Sequence, residues 1–178
     1  MTQNKPDLRI REAEREDRDS ILKVMLEAYG EYALVMPEEG WKQYAKDIEA
    51  SVDNDRPIAR IVAELDGEIV GSVQMFDSSE AAYGAPELGI ESPIIRLLAT
   101  SPAARGKGVA TALIRESVRR SLALGAETLH LHTSDMMASA IQLYERLGFE
   151  RDYDKEIQKG DKLVKCYRLK LKESALLV

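Results

Sequence analysis

The chain has 178 residues, a formal net charge of −6, and 44% hydrophobic and 31% charged residues. That balance excludes a disordered or fibrous polymer and suits a domain large enough to bury a substantial core. Net acidity argues against non-specific nucleic-acid binding, and no apolar run approaches the roughly 20 residues a membrane-spanning helix needs. Cys166 is the only cysteine, so there is no internal disulfide. The first six residues, Met1 to Pro6, contain no apolar signal core. Together these features fit the cytoplasm.

Leu8-Arg9-Ile10-Arg11 alternates apolar and charged residues and predicts a strand. Ile21, Val24, Met25 and Ala28 recur at helical spacing, so Glu16 to Tyr29 reads as a helix that Gly30 ends. Pro37-Glu38-Glu39 suits a second helix start, with the helix continuing from Trp41 to Val52. Ile58 to Leu65 and Glu68 to Phe76 read as a hairpin across Asp66-Gly67, a dipeptide that accepts positive φ. Asp77 to Glu91 contains Gly84, Pro86 and Gly89 and reads as a long functional loop.

Ile94 to Thr100 is an apolar strand that leads through Ser101-Pro102 into Arg105-Gly106-Lys107-Gly108-Val109-Ala110. From Val109 to Leu124 a helix is expected, with Leu113, Ile114, Val118 and Leu122 inward and Gly125 as its stop. Thr128 to His132 reads as a strand and Met136 to Leu147 as a helix stopped by Gly148. Two strands follow, near Phe149 to Ile157 and Lys162 to Lys170, as a hairpin around Gly160-Asp161. The order β-α-α-β-β-β-α-β-α-β-β predicts an α+β fold in a single domain over residues 1–178. Its mixed, mostly antiparallel central sheet is flanked by helices, with one parallel crossover.

The glycine-rich turn at residues 105–110 is the most informative segment. Small residues at a strand-to-helix turn let backbone N–H groups point outward unobstructed. A helix N-terminus adds partial positive charge and unpaired donors, so the turn is an anion cradle suited to phosphate. Ser101 to Arg120 carries five basic residues against Glu116, whereas Glu12 to Asp55 carries 13 acidic residues and 5 basic ones. A basic cradle suits a phosphorylated ligand, and an acidic remainder attracts a cationic amine. The spacing is not that of a P-loop, and Thr111 stands where a dinucleotide fingerprint needs glycine or alanine.

Arg105, Gly108 and Ala110 do fit the pattern [Q/R]-x-x-G-x-[G/A]. Upstream stands Leu97-Leu98-Ala99-Thr100-Ser101-Pro102, and downstream Ala140-Ile141-Gln142-Leu143-Tyr144-Glu145-Arg146-Leu147-Gly148-Phe149. In this order and spacing the three segments resemble the GNAT superfamily of N-acetyltransferases over roughly Ile94 to Phe149. The resemblance implies the acyl-CoA N-acyltransferase fold and acetyl-coenzyme A as co-substrate, with no metal. It implies that N–H groups from Arg105, Gly106, Lys107, Gly108, Val109 and Ala110 hold the coenzyme diphosphate. The strand backbone at Leu98, Ala99 and Thr100 would meet the pantetheine arm. Tyr144 is then the expected general acid, and Glu91, with Glu87 beside it, the expected base.

The acceptor implied is a primary amine of a small molecule or peptide, with Glu31, Tyr32 and Tyr83 in its groove. No nucleic-acid or membrane partner is expected, and a homodimer is compatible with the resemblance. Two departures stand out: Ile94-Ile95-Arg96-Leu97 lacks the strand glutamate of some members, and Met137 replaces a common asparagine. They keep open a non-catalytic acyl-CoA sensor on the same fold. His130 and His132 share a strand face but show no third metal ligand at matching spacing, and Cys166 reads as a small core residue.

Overall fold

A computed structural model of the chain describes residues 7–134, 137–160 and 162–174. Strand β1 (Leu8–Glu12) leads through a 3-10 turn into helix α1 (Arg18–Tyr29), and helix α2 (Glu38–Ser51) follows. Strands β2 (Ala59–Leu65) and β3 (Glu68–Phe76) flank Asp66 and Gly67, which both take the positive φ this turn requires. Strand β4 (Ile94–Thr100), helix α4 (Val109–Ala123), strand β5 (Thr128–Thr133) and helix α5 (Ala138–Arg146) fall where hydrophobic periodicity puts them.

Three segments differ from expectation. The Asp77 to Glu91 stretch is not a bare loop: it holds helix α3 (Ser79–Tyr83) and a 3-10 turn at Pro86–Leu88. Ser78 caps α3 by accepting from the Ala81 N–H at 3.2 Å, and Gly84 closes it at a φ of 63°. Gly30 caps α1 after Tyr29, as expected, yet does not turn the chain out of helical conformation. Its φ is −59°, and the chain runs on as a 3-10 helix over Gly30–Leu34. The first strand of the last hairpin is broken. It becomes β6 (Glu150–Arg151), a 3-10 turn at Tyr153–Lys155 and β7 (Ile157–Lys159), all before β8 (Lys162–Lys170). Met136 and Asp161, expected at a helix start and a turn, lie outside the described residues.

The strands hydrogen-bond in the order β1-β2-β3-β4-β5-β8-β6, with β7 beside β8. The β4–β5 pair is parallel, while β1–β2, β5–β8, β6–β8 and β7–β8 are antiparallel. This is the mixed, mostly antiparallel sheet flanked by helices that the element order predicts. The chain divides into two compact units: residues 1–55, 59–74 and 97–114 form one, and 56–58, 75–96 and 115–178 form the other.

The core of the first unit includes Met25, Ile48, Ile61, Val62, Val73, Leu113 and Ile114. One close approach there depends on a glycine. A Cβ on Gly71 of β3 would stand 2.6 Å from Val109 Cγ1 and 3.1 Å from the Ala99 carbonyl oxygen. Only hydrogen at this position lets the first turn of α4 sit against β3. Beside it, Arg11 donates to Asp17 at 2.7 and 3.0 Å and to Glu64 at 2.8 Å, which pairs a buried carboxylate with charge.

The second unit has its own core, including Met75, Phe76, Ile94, Val118, Leu129, Leu131, Phe149 and Leu169. Within it Phe76, Ala82, Ile90 and Ile94 cluster with Tyr83 and Leu88. The apolar side of α3 therefore anchors the segment expected to be loop. Among the described residues no helix is long and apolar enough to cross a membrane.

Candidate active site

In the first unit, the turn between β4 and α4 is held from below. Ser101 N–H donates to the Val70 carbonyl at 2.7 Å, and Ala104 N–H donates to the Ser101 carbonyl at 2.9 Å. Ala104 and Val109 are buried at either end, while Arg105, Gly106, Lys107 and Gly108 between them are exposed. Gly106 and Gly108 take φ values of 79° and 78°. An added Cβ at either would meet nothing within 4 Å. The glycines thus serve backbone conformation, and the space in front of them is open.

The first intrahelical bond of α4 runs from Ala112 N–H to the Gly108 carbonyl at 3.0 Å. The N–H groups of Val109, Ala110 and Thr111 therefore have no partner within the helix. A helix of 15 residues brings its full terminal partial charge to this point. Open space, outward donors and positive potential together fit a diphosphate.

Arg105 Nη1 is paired with Glu31 Oε1 at 2.7 Å, and both side chains are about half exposed (50% and 49%). Such a surface pair contributes little stability and leaves other guanidinium donors available. Glu31, expected to meet an amine, is thereby joined to a residue expected to meet phosphate. Lys107 lines a polar cleft with Asp17, Lys23, Glu27 and Glu64.

Strand β4 carries a backbone irregularity at the site. Leu97 has a φ of 56°, a left-handed conformation that bulky residues rarely adopt. Such a residue costs about 1–3 kcal/mol and persists only where its surroundings over-determine it. The next residue is pinned: Tyr29 O–H donates to the Leu98 carbonyl at 2.6 Å. The Tyr29 ring in turn packs edge-on against Tyr44 at 5.8 Å and at a tilt against Tyr32 at 6.1 Å. Tyr32 is half-buried, and burial raises its pKa.

In the second unit, Tyr144 is 7% exposed on α5, with its ring centroid 5.8 Å from Phe149 and 6.5 Å from Tyr167. Met137 caps α5 and accepts a hydrogen bond from Thr133 Oγ1 at 3.4 Å, through its sulfur. Glu91 is exposed, immediately before β4.

Tyr83, expected at an acceptor groove, packs into its own unit. Its ring stands edge-on to His132 at 4.8 Å, and Arg96 lies over its face at 4.8 Å. His132 Nε2 faces the Lys155 carbonyl at 2.9 Å, which can only accept, so Nε2 carries the proton. His132 Nδ1 then accepts from the Tyr83 hydroxyl at 2.9 Å. Burial lowers the His132 pKa and raises that of Tyr83, so both are neutral near pH 7.

His130 has equally specific partners. Its Nε2 faces Asp152 Oδ2 at 3.1 Å, and its Nδ1 faces Ser92 Oγ at 3.2 Å. Cys166 completes a group in which one ligating atom each of His130, Asp152 and Cys166 lies within 4.8 Å of the others. The further donors that histidine spacing does not reveal thus come from Asp152, just after β6, and from Cys166 of β8. Burial, with Asp152 and Glu156 nearby, pushes the Cys166 thiol up to about 12, so it stays protonated.

Tyr29, Gly71, Ser92 and Asp152 are the residues that sequence reasoning passes over. An isolated glycine inside a strand pattern is a readable signal of close backbone approach, and Gly71 gives that signal. The other three have none, because their partners lie 69, 38 and 22 residues away along the chain.

The sequence model of the Acetyltransferase (GNAT) family matches residues 20–149. The chain is 33% identical over 111 residues to an acetyltransferase of Pectobacterium atrosepticum, covering 62% of this chain and 70% of that one. It is 31% identical over 143 residues to an uncharacterized N-acetyltransferase of Escherichia coli, covering 78% and 80%. The solved structure of the ribosomal-protein-S18-alanine N-acetyltransferase of Escherichia coli has the same fold. It superposes with a TM-score of 0.65 at 17% identity, over 93% of this chain and 94% of that one.

Proposed function

Because the chain belongs to the GNAT acetyltransferase family and is an acyltransferase, we propose that it moves an acetyl group from acetyl-coenzyme A to a primary amine of a small molecule or peptide. One observation carries the reading: two exposed glycines, Gly106 and Gly108, hold left-handed backbone at the N-terminus of α4 with open space before them. This is a cradle for a diphosphate built from main chain.

When bound, acetyl-coenzyme A supplies the acyl group as a thioester. The N–H groups from Arg105 to Ala110 hold its diphosphate, with Gly108 and Ala110 small enough for close approach. The backbone of Leu98, Ala99 and Thr100 pairs with the pantetheine arm as an added strand does. The Leu98 N–H, which follows the left-handed turn at Leu97, polarises the thioester carbonyl. Tyr144 donates its phenolic proton to the departing sulfur. A phenol of pKa about 10 can protonate a thiolate whose acid lies near about 8.5.

Glu91 takes the proton from the amine, directly or through a water. Glu31 and Tyr32 contact the amine. The amine attacks directly, since the Cys166 thiol is buried and protonated. Holding both reactants in one complex removes much of the entropic cost of their meeting. The chain acts in the cytoplasm, where acetyl-coenzyme A is at hand.

Free-thiol release tests the reading, measured on the purified chain with acetyl-coenzyme A across polyamines, amino acids, peptides and aminoglycosides. Amine-dependent thiol release is the expected result. Tight binding of the coenzyme with no thiol release on any amine would replace catalysis with sensing. No calorimetric heat with any coenzyme A thioester would remove the cradle assignment itself.

A further inference from the structure

A hydrogen-bonded chain of Ser92, His130 and Asp152 stands within the second unit. Register explains how it forms. Parallel pairing sets Ile94 opposite His130, and the His130 N–H donates to the Pro93 carbonyl at 3.0 Å, so the preceding Ser92 lies beside the imidazole. On the other side, β6 pairs with β8 through Arg151↔Tyr167, and the Asp152 N–H donates to the Cys166 carbonyl at 2.9 Å. Three separate strand contexts thus deliver a hydroxyl, an imidazole and a carboxylate in line.

The proton positions follow from chemistry. An ionised Asp152 only accepts, so His130 Nε2 carries a proton and donates to it across 3.1 Å. A neutral His130 then presents an unprotonated Nδ1, and the Ser92 O–H donates to that nitrogen across 3.2 Å. Burial lowers the His130 pKa, with Arg168 and Lys155 adding to the effect and Asp152 opposing it. The imidazole is therefore neutral near pH 7 and available as a base. His130 and Asp152 are both 7% exposed, while Ser92 is only partly buried. A hydroxyl bonded to a base, with that base oriented by a third group, is the arrangement that activates a nucleophile. Cys166 is the wrong nucleophile in this cluster, because its thiol is fully buried and protonated.

We propose that Ser92 is a base-activated nucleophile that takes an acyl group from an acyl ester, with His130 as its base and Asp152 as the positioning residue. The Ser92 Oγ attacks the ester carbonyl, and its proton moves to His130 Nδ1. The bond from carbonyl carbon to leaving oxygen breaks, and His130 returns the proton to the departing alkoxide. Water then attacks the acyl-serine by the same route, releasing the acid and restoring the Ser92 hydroxyl. This reaction uses no coenzyme, so it stands or falls independently of the amine transfer.

The test is covalent labelling of the full chain with an alkyl fluorophosphonate, followed by peptide mass spectrometry, alongside release of p-nitrophenolate from p-nitrophenyl acetate. A single adduct on Ser92 is expected, absent in Ser92→Ala. His130→Gln should slow labelling about 100-fold or more, the scale of a lost general base. Asp152→Asn should slow it as well, and it serves as the second variant if His130→Gln does not fold. Mapping on the wild-type chain needs no variant at all. No adduct, an adduct on another residue, or wild-type labelling rates in both folded variants would overturn the proposal.

Discussion

The Tyr29 hydroxyl donates to the Leu98 carbonyl across 2.6 Å, one residue past the left-handed turn at Leu97. The last residue of α1 thereby fixes the peptide between Leu98 and Ala99, just past the irregular point of β4. Strain at Leu97 and a bond at Leu98 form one device, since the second holds what the first distorts. Both act on the stretch of strand assigned to the acyl donor.

Tyr29→Phe keeps the ring packing on Tyr32 and Tyr44 and deletes this bond. A loss of about 1–2 kcal/mol in folding stability is expected, because a carbonyl is left without its partner. Urea melts measure it. A weaker affinity for acetyl-coenzyme A should accompany it in calorimetry, and unchanged values in both measurements would count against the role given to Tyr29.

Gly71→Ala puts a Cβ 2.6 Å from Val109 Cγ1 and 3.1 Å from the Ala99 carbonyl oxygen. The first turn of α4 must shift, at a cost of about 1–3 kcal/mol for overpacking. Coenzyme affinity should fall with it, since the cradle begins at that turn. Adding Val109→Ala removes the nearest clashing atom and should recover part of both losses. A double-mutant cycle with no coupling energy would argue against the contact.

Tyr144→Phe retains a ring of the same size beside Phe149 and Tyr167. Amine-dependent thiol release should drop about 100- to 10,000-fold, with coenzyme binding kept. A variant that turns over at the wild-type rate would assign Tyr144 to the core alone.

Stability should depend on pH through the two histidines. Burial holds His130 and His132 below the ordinary imidazole value, so the native state binds fewer protons than the unfolded chain. Their stabilising contribution is full above the unfolded pKa of about 6.5 and is lost as pH falls through and below it. Asp17, Asp53, Glu150 and Glu156 are lowered mainly by arginine hydrogen bonds and titrate below this window. Urea midpoints should therefore fall between about pH 7.5 and about pH 5.5, and less steeply in His132→Gln. A flat profile in the wild-type chain would contradict neutral buried histidines.

The sequence by itself determined the elements and the glycine-rich turn before α4. Both are local: alternation makes β1, a 3.6-residue period makes α4, and Gly106 with Gly108 supplies backbone angles other residues resist. It misjudged α3, where Gly84, Pro86 and Gly89 masked a short helix that only packing of Ala82 with Phe76 and Ile94 makes worthwhile. Tertiary structure alone decided the pairings: Tyr29 with Leu98, Glu31 with Arg105, and Ser92 with His130 and Asp152. Such contacts join residues far apart in the chain, and strand register, which no short window of sequence encodes, is what brings the last of them together.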